Sequence, residues 1–202
     1  MKRTFAILLS ILLLSTVTCE ASWLIFHKPE FRGKIVDIET HEPIEGAVVV
    51  AIYRKEEMSI ADSVDIDIDA REALTDRNGD FVIPSYTTFI NPLSWSIPVQ
   101  FIIFKPGYIC NTPISLEDEF SGSGKRPDRD ISASWNGSLQ YRILKSGVVM
   151  LRKVNGKDRI ESFDKASRIE SLQQKFNKKL KSTSMIDEEY KIIRKLEKTV
   201  ER

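Results

Sequence analysis

The sequence predicts a mainly β protein: an antiparallel β-sandwich over residues 22–154, followed by an α-helical extension over 155–202. Three observations lead to this fold class. The middle of the chain consists of short runs rich in β-branched residues, Gly and Pro residues separate these runs, and no helical pattern stands between them. Only the last part of the chain shows apolar residues spaced at three or four. Many short strands without intervening helices favour a sandwich over a parallel α/β sheet.

Residues 1–21 read as a secretory signal sequence. A basic start precedes an apolar run of 13 residues from Phe5 to Val17. That run is shorter than the ~20 residues that a membrane-spanning helix needs. Small residues then offer a cleavage point after Ala21. We therefore expect an exported protein of the periplasm or cell envelope.

Cys19 offers a second interpretation of the same segment. Lipoprotein signals carry a lipidated Cys directly after the apolar run, usually with Gly, Ala or Ser before it. Here Thr18 precedes Cys19, so the sequence departs from that pattern. Lipidation at Cys19 is the alternative to cleavage, and it would anchor the exported protein to a membrane.

Three segments in the first half of the domain are predicted strands. Phe31–Ile38 is short and alternating. Ala47–Tyr53 is too continuously apolar for a strand with one buried face, so we expect it in the centre of the sandwich. Val64–Asp69 alternates strictly between apolar residues and carboxylates. This period of two predicts an edge strand whose carboxylates face solvent.

Turn signals organise the second half of the domain. Asn78 and Gly79 lie between two apolar segments and predict a hairpin with a type I′ turn, because that turn needs positive φ at both central residues. Val99–Phe104 is a further buried strand, and Lys105–Tyr108 turns the chain after it. The remaining predictions are a surface loop at Ser121–Asp130 and two final strands at Leu139–Leu144 and Val148–Val154.

The tail at 155–202 is predicted to be helical and basic. It has 13 Lys and Arg against 9 Asp and Glu, whereas residues 21–154 have 15 against 19. Two apolar stripes at helical spacing consist of Ile169, Leu172, Phe176 and Leu180, and of Ile186, Tyr190, Ile193, Leu196 and Val200. Because amphipathic helices usually bury one face, packing on the domain or on each other is favoured. Docking to a partner or to an anionic surface is the alternative.

Four segments, taken in order, carry a family resemblance. They are Gly33-Lys34-Ile35-Val36-Asp37, then Glu42-Pro43-Ile44-Glu45-Gly46-Ala47-Val48-Val49, then Leu74-Thr75-Asp76-Arg77-Asn78-Gly79-Asp80-Phe81-Val82-Ile83, and Lys105-Pro106-Gly107-Tyr108. In this order they resemble the carboxypeptidase regulatory-like domain family over roughly residues 31–108.

The resemblance implies an Ig-like or transthyretin-like antiparallel β-sandwich. Its matching residues shape turns and core, so it also implies a non-catalytic accessory or binding module. Two parts of the chain depart from the family pattern. The stretch between Arg54 and Leu74 is longer than the usual connection, and the basic tail lies outside the pattern.

Acidic residues raise one metal hypothesis. Asp65, Asp67 and Asp69 have the odd spacing of a calcium-binding loop, with Asp76 at the twelfth position. Ala70 stands where such a loop requires Gly, so an acidic edge strand is the favoured interpretation. The two His residues form no zinc-binding motif. We therefore expect no metal and no cofactor.

Aromatic residues supply the binding hypothesis. Trp95 and Trp135 lie in polar, loop-like surroundings and are the candidate contact residues. Since nothing resembles a catalytic constellation, we expect a non-enzymatic module that binds an envelope protein. The alternatives are a carbohydrate-binding module and, less favoured, an unrecognised hydrolase. A net charge of +1 and the exported location argue against nucleic acid, and membrane contact would come only through a lipid on Cys19 or through the basic tail.

Overall fold

A computed structural model describes residues 24–59, 62–109, 113–122, 131–135, 138–144, 147–155, 158–160, 163, 167–177, 180 and 182–200, with the backbone alone at 131–135, 138–140, 167, 182 and 196–200. The strands are β1 (Ile25–Lys28), β2 (Phe31–Asp37), β3 (Val48–Met58), β4 (Ser63–Leu74), β5 (Asp80–Ile83), β6 (Tyr86–Phe89), β7 (Ser94–Ser96), β8 (Gln100–Phe104), β9 (Ile114–Ser115), β10 (Ile131–Trp135), β11 (Ser138–Ile143) and β12 (Val148–Leu151). The helices are α1 (Glu117–Ser121), α2 (Ser167–Phe176) and α3 (Ser182–Val200). The predicted signal sequence, with Cys19, and most of the predicted loop at Ser121–Asp130 lie outside the described residues.

The strands form two five-stranded sheets and a separate two-stranded ribbon, β1–β6. The order in the first sheet is β10-β11-β12-β2-β5. In the second sheet it is β4-β3-β8-β9, and β7 also pairs with β3. The prediction of a mainly β fold with antiparallel sheets is confirmed. One pair is different: β2 and β12 run parallel, with Ile35 opposite Val149, which the sequence does not indicate.

β3 lies inside the second sheet, as its continuous apolar run predicts. It pairs with β4 on one side and with β8 on the other. Val49, Ala51 and Tyr53 belong to the core that the two sheets share, and Val48, Val50 and Ile52 belong to a second apolar cluster on the opposite face. Because both faces of the strand are buried from Val48 to Tyr53, every position in this part is apolar rather than every other one.

The helical tail covers the outer face of the second sheet. Its buried side chains are Ile169, Leu172, Leu180 and Ile186, which pack with Val48, Val50, Ile52, Ala70, Ile102 and Phe104 of the sheet. The protein thus has three layers: first sheet, second sheet and helices. Packing on the domain, the favoured interpretation, is confirmed for Ile169, Leu172, Leu180 and Ile186, whereas Tyr190 of the second stripe is 45% exposed. α2 ends at Phe176 because Asn177 adopts a left-handed conformation, with φ 46°.

Ion pairs complete the attachment of the tail. Asp67 of β4 accepts hydrogen bonds from Arg168 at 2.6 Å and from Lys175 at 3.3 Å, both on α2. Within the tail itself, Arg159 donates two hydrogen bonds, of 2.5 and 2.6 Å, to Glu189, which is buried on α3. β4 is an edge strand as predicted. The expectation that its carboxylates face solvent is wrong for Asp67, whose side chain is 9% exposed, because the tail covers it.

The segment after β4 carries the chain from one sheet to the other. β4 belongs to the second sheet, whereas β5 pairs with β2 in the first. Oδ1 of Asp76 accepts the amides of Asn78 at 2.8 Å and of Asp80 at 2.9 Å. Gly79 has a φ of 76°, whereas Asn78 has no positive φ. The predicted type I′ hairpin is therefore wrong, because the Asp76 side chain stabilises a different turn.

Residues from different segments of the family pattern contact each other. Oγ1 of Thr75 accepts the amide of Ala47 at 2.8 Å and donates to the carbonyl of Ile44 at 2.6 Å. The hydroxyl of Tyr108 donates to the carboxylate of Asp37 at 3.1 Å. These bonds join chain segments that are far apart in sequence. Thr75 and Tyr108 therefore stabilise the positions of the loops between strands.

The structure tests three other predictions: the remaining strands, the turn after β8 and the absence of helices between strands. The strands predicted at Phe31–Ile38, Val99–Phe104, Leu139–Leu144 and Val148–Val154 correspond to β2, β8, β11 and β12. The turn after β8 is confirmed, since the amide of Tyr108 donates to the carbonyl of Lys105 at 3.0 Å. The prediction that no helix lies between the strands is wrong, because the short α1 lies between β9 and β10.

Candidate functional site

β3 and β4 project beyond the central part of their sheet. β8 pairs with β3 only from Val48 to Ile52, yet β3 continues to Met58. We call residues 53–58 and 63–69 the hairpin extension. Along it β3 also pairs with β7, which places Trp95 opposite Glu56. A third strand therefore supports the extension and brings a distant segment to its tip.

The ribbon of β1 and β6 packs beside the hairpin extension through three aromatic rings. The centroid of Tyr53 lies 6.3 Å from that of Phe26 and 4.4 Å from that of Tyr86. The guanidinium of Arg71 lies 4.5 Å from the Tyr86 ring centroid. Burial raises the pKa of both Tyr53 and Tyr86, so both hydroxyls stay protonated at neutral pH. These rings support the extension and offer no ready nucleophile.

Large exposed hydrophobic side chains concentrate around the hairpin extension. Ten such side chains are exposed among the residues that the structure describes, and six of them lie here. The six, which we call the apolar end, are Ile25, Met58, Val64, Phe89, Leu93 and Trp95. Phe89 is 82% exposed, and Met58 and Leu93 are 60% exposed. A concentration of this kind, unlike scattered single residues, makes this end of the molecule the candidate interaction surface.

The apolar end has two sides. Met58 lies two residues beyond Glu56 on β3, and Trp95 is opposite Glu56, so Met58 and Trp95 share one face of the extension. Phe89 is opposite Ile25 on the ribbon. The residues that alternate with this pair face the aromatic cluster, so Phe89 and Ile25 point away from it. A partner can therefore contact either side, and the two sides can be tested separately.

A carboxylate holds Trp95 in place. The indole Nε1 donates to Oε2 of Glu56 at 2.6 Å, and the hydroxyl of Ser63 donates to Oε1 of the same carboxylate. Two donors thus fix the Glu56 side chain, which in turn orients the indole. An ordered Trp loses little side-chain entropy when a partner covers it, which suits a residue at the centre of an interface.

The border of the apolar end is acidic. Residues 54–65 include the carboxylates Glu56, Glu57, Asp62 and Asp65 and the basic side chains Arg54 and Lys55. Four negative charges against two positive ones leave this segment with a net charge of −2. The other main contributor, 86–96, has no charged residue. The apolar end is therefore uncharged on one segment and acidic on the other.

The four calcium candidates are not brought into one site. Basic side chains pair with Asp65, Asp67 and Asp69. Asp76 lies in the turn between the sheets, where its Oδ1 accepts two backbone amides. In the part of the chain that the structure describes, no group of three His, Cys, Asp or Glu residues is placed to hold a metal ion.

The two candidate tryptophans lie in different sheets. Trp95 is on β7, which joins the second sheet, and Trp135 ends β10 at the edge of the first sheet. Only the backbone of Trp135 is described, so its role stays a prediction. Lipidation at Cys19 stays a prediction too. No helix within the described ranges combines the length and the apolar character that crossing a membrane requires.

Of the residues at the apolar end, only Trp95 stands out in the sequence. Met58, Phe89 and Leu93 were not predicted, because three chain segments assemble the surface and strand pairing sets their positions. One signal could have found two of them. The stretch 86–96 has no charge and contains a Pro, yet it carries Phe89, Leu93 and Trp95. Apolar residues in an uncharged turn-rich stretch are candidates for a contact surface.

Comparisons with known proteins found nothing similar to this chain: no family model, no curated protein and no solved structure matches it. The resemblance over roughly residues 31–108 therefore stays a prediction from the motif residues. The definition of the apolar end does not depend on this resemblance, because it follows from side-chain exposure and strand pairing.

Proposed function

We propose that this protein is an exported, non-enzymatic β-module of the cell envelope that binds a protein partner through the apolar end. The observation that carries the proposal is the concentration of six exposed large hydrophobic side chains around one strand extension. Buried elsewhere, such side chains stabilise a fold; exposed together, they stabilise a complex when a partner removes them from water.

The finer fold assignment belongs to the same proposal. We infer a transthyretin-like sandwich of the carboxypeptidase regulatory-like type. The contacts of Thr75 with Ala47 and Ile44, and of Tyr108 with Asp37, support this assignment, because each joins two different segments of the family pattern. Binding rather than catalysis is the activity that such a module implies.

Export to the periplasm or cell envelope is also part of the proposal. The basic start and the apolar run within residues 1–21 support it. Cleavage after Ala21 would release the protein, and lipidation at Cys19 would anchor it. Both outcomes place the apolar end outside the cytoplasm, where an envelope protein can reach it.

Carbohydrate binding is the second candidate function. The observation that favours it is an oriented, exposed Trp95 beside the Glu56 carboxylate and the Ser63 hydroxyl. An indole face can stack on a sugar ring while neighbouring oxygens bind its hydroxyls. The aliphatic majority of the apolar end is the reason that a protein partner is preferred.

Paired substitutions test the proposed function. Met58→Ser with Trp95→Ser removes one side of the apolar end, and Ile25→Ser with Phe89→Ser removes the other. We expect one of these variants to lose a stoichiometric partner that the wild-type chain captures from cross-linked cell envelopes. Each removed contact residue should weaken binding on the order of 2 kcal/mol if it is a binding hot spot.

Leu74→Ser with Val82→Ser is the matched control, since both side chains are exposed but lie outside the apolar end. This control should capture the partner as the wild type does. Capture of the same partner at equal yield by all three variants would contradict the proposed contact surface.

A further inference from the structure

We infer that the partner of the apolar end presents a basic apolar segment, with Lys or Arg side chains beside hydrophobic ones. This inference rests on the proposed function and adds the chemistry of the partner. Two observations carry it: large hydrophobic side chains are exposed on both sides of the hairpin extension, and the segment 54–65 next to them is acidic.

The charge distribution points to the basic side chains. Residues 54–65 have a net charge of −2, and 86–96 have no charge to offset it. Asp62 and Asp65 are exposed. Arg54 pairs with Asp65 and Lys55 with Glu57, which leaves the charges of Glu56 and Asp62 uncompensated within the segment. A cation near them is attracted through solvent over about a Debye length, ~10 Å at moderate salt. Charges at the rim of an interface mainly guide encounter and select the partner, while the apolar centre supplies affinity.

The same charge disfavours a lipid surface. Segments that lie in a membrane interface combine apolar residues with Lys and Arg on their polar face. Here the residues next to Met58 on the hairpin extension include Glu56 and Glu57, and Asp62 lies in the turn. Anionic headgroups repel these carboxylates, so insertion of Met58 into such a membrane would be opposed.

The composition of the apolar end disfavours a glycan. Four of its six side chains are aliphatic, namely Ile25, Met58, Val64 and Leu93, and these offer no flat face for a sugar ring. Trp95 and Phe89 stand on different sides of the structure, so they do not form one stacking platform. The indole N–H of Trp95 is already donated to Glu56. A protein segment can cover this mixed surface.

Selection of peptides from a random library tests the inference with a defined probe. Phage-displayed random linear peptides are panned on the full chain, and the recovered peptides are sequenced. We expect enrichment of Lys and Arg together with apolar residues. Synthetic copies of the recovered peptides should bind at least about tenfold more weakly to the Met58→Ser/Trp95→Ser or the Ile25→Ser/Phe89→Ser variant, and unchanged to Leu74→Ser/Val82→Ser.

Charge variants test the acidic border. Asp62→Asn with Asp65→Asn should weaken binding of the basic peptides about threefold to tenfold and reduce the loss of affinity between about 0.05 and 0.5 M salt. Glu42→Gln with Glu45→Gln is the matched control, because it removes two exposed carboxylates near the start of β3, away from the apolar end. This control should bind like the wild type.

The outcomes separate the inference from the proposed function. Recovered peptides that lack Lys and Arg, but still require the apolar end, would overturn the inferred partner chemistry and leave the proposed function standing. Peptides that bind all apolar-end variants equally well would overturn both. Binding of a glycan array or of phosphatidylglycerol vesicles that depends on Trp95 would replace the protein partner with another class of ligand.

Discussion

Asp37 connects three parts of the chain through one carboxylate. Its Oδ1 accepts the amides of Glu39 at 2.8 Å and Thr40 at 3.1 Å. Its Oδ2 accepts the Tyr108 hydroxyl and lies 3.5 Å from Nζ of Lys153. Burial raises the pKa of Asp37, but these hydrogen bonds and the Lys153 charge outweigh burial and leave the pKa below its ordinary value.

This lowered pKa predicts acid-sensitive stability. The contribution of Asp37 is present above the unfolded-state pKa of about 3.9 and is lost as the pH falls through the lower folded-state value. Asp37→Asn should lower the free energy of unfolding by about 1–3 kcal/mol at pH 7, and the difference from wild type should shrink below about pH 4. Urea unfolding at both pH values measures this. Asp80→Asn, at an exposed carboxylate, should show a much smaller effect, and a difference for Asp37→Asn that is independent of pH would contradict the prediction.

At the residue scale, the sequence predicts which residues matter better than it predicts their partners. The alternation of Val64–Asp69 correctly indicates an edge strand, but Arg168 and Lys175, which enclose Asp67, come from the distant tail. Likewise Trp95 is identifiable as a polar-context aromatic residue, whereas Glu56, which orients it, is brought there by strand pairing. Contacts between remote segments have no local signal, so spacing alone cannot reveal them.

The turn between β4 and β5 depends on Gly79. Its φ of 76° is a conformation that side-chain-bearing residues rarely adopt, and a Cβ there would overlap the carbonyl oxygen of Ile35. Gly122 offers a matched comparison, because it has a φ of 66° but nothing within 4 Å of the added Cβ. A side chain at either site costs free energy because the backbone has a positive φ. Only at Gly79 does the added Cβ also overlap a neighbouring atom.

Substitution to Ala separates these costs. We expect Gly79→Ala to lower the free energy of unfolding by about 1–3 kcal/mol more than Gly122→Ala, because the oxygen that a Cβ would overlap belongs to the β2 backbone. Chemical denaturation of the two variants beside wild type measures the difference. Equal losses at the two sites would show that the Ile35 carbonyl gives way, contrary to the expectation.

At the scale of elements, strands that are long or strongly apolar can be predicted from the sequence. Short strands that form only because a partner strand pairs with them cannot. β2, β3, β8, β11 and β12 are recognisable from their residues. β1, β6, β7 and β9 have four residues or fewer, which is too short for an alternation to stand out. The Asn-Gly signal correctly marks a turn at Asn78, but Asp76 decides its type. The short strands β1 and β6 carry Ile25 and Phe89 of the apolar end, which explains why this part of the site could not be predicted.

The whole molecule depends on its third layer. Without α2 and α3, the outer face of the second sheet would expose side chains such as Val50, Ile102 and Phe104. Leu172→Ala on α2 should lower the free energy of unfolding by about 2–5 kcal/mol, because it leaves a cavity against this sheet. Ile192→Ala on α3, where the side chain is exposed, should change it by less than about 1 kcal/mol. Urea unfolding checks both, and equal effects would mean that the helices contribute little to the folded core.

The parallel pairing of β2 with β12 governs the order in which the chain can fold. β2 is the second and β12 the last of the strands that the structure describes, yet the two pair with each other inside the first sheet. A chain delivered from its N-terminus cannot complete this sheet until Leu151 has emerged. Such long-range topology has a high contact order and folds slowly, on the order of milliseconds to seconds. The first sheet therefore stays incomplete during most of the chain's synthesis, and the edge of β2 that β12 later covers stays unpaired until then.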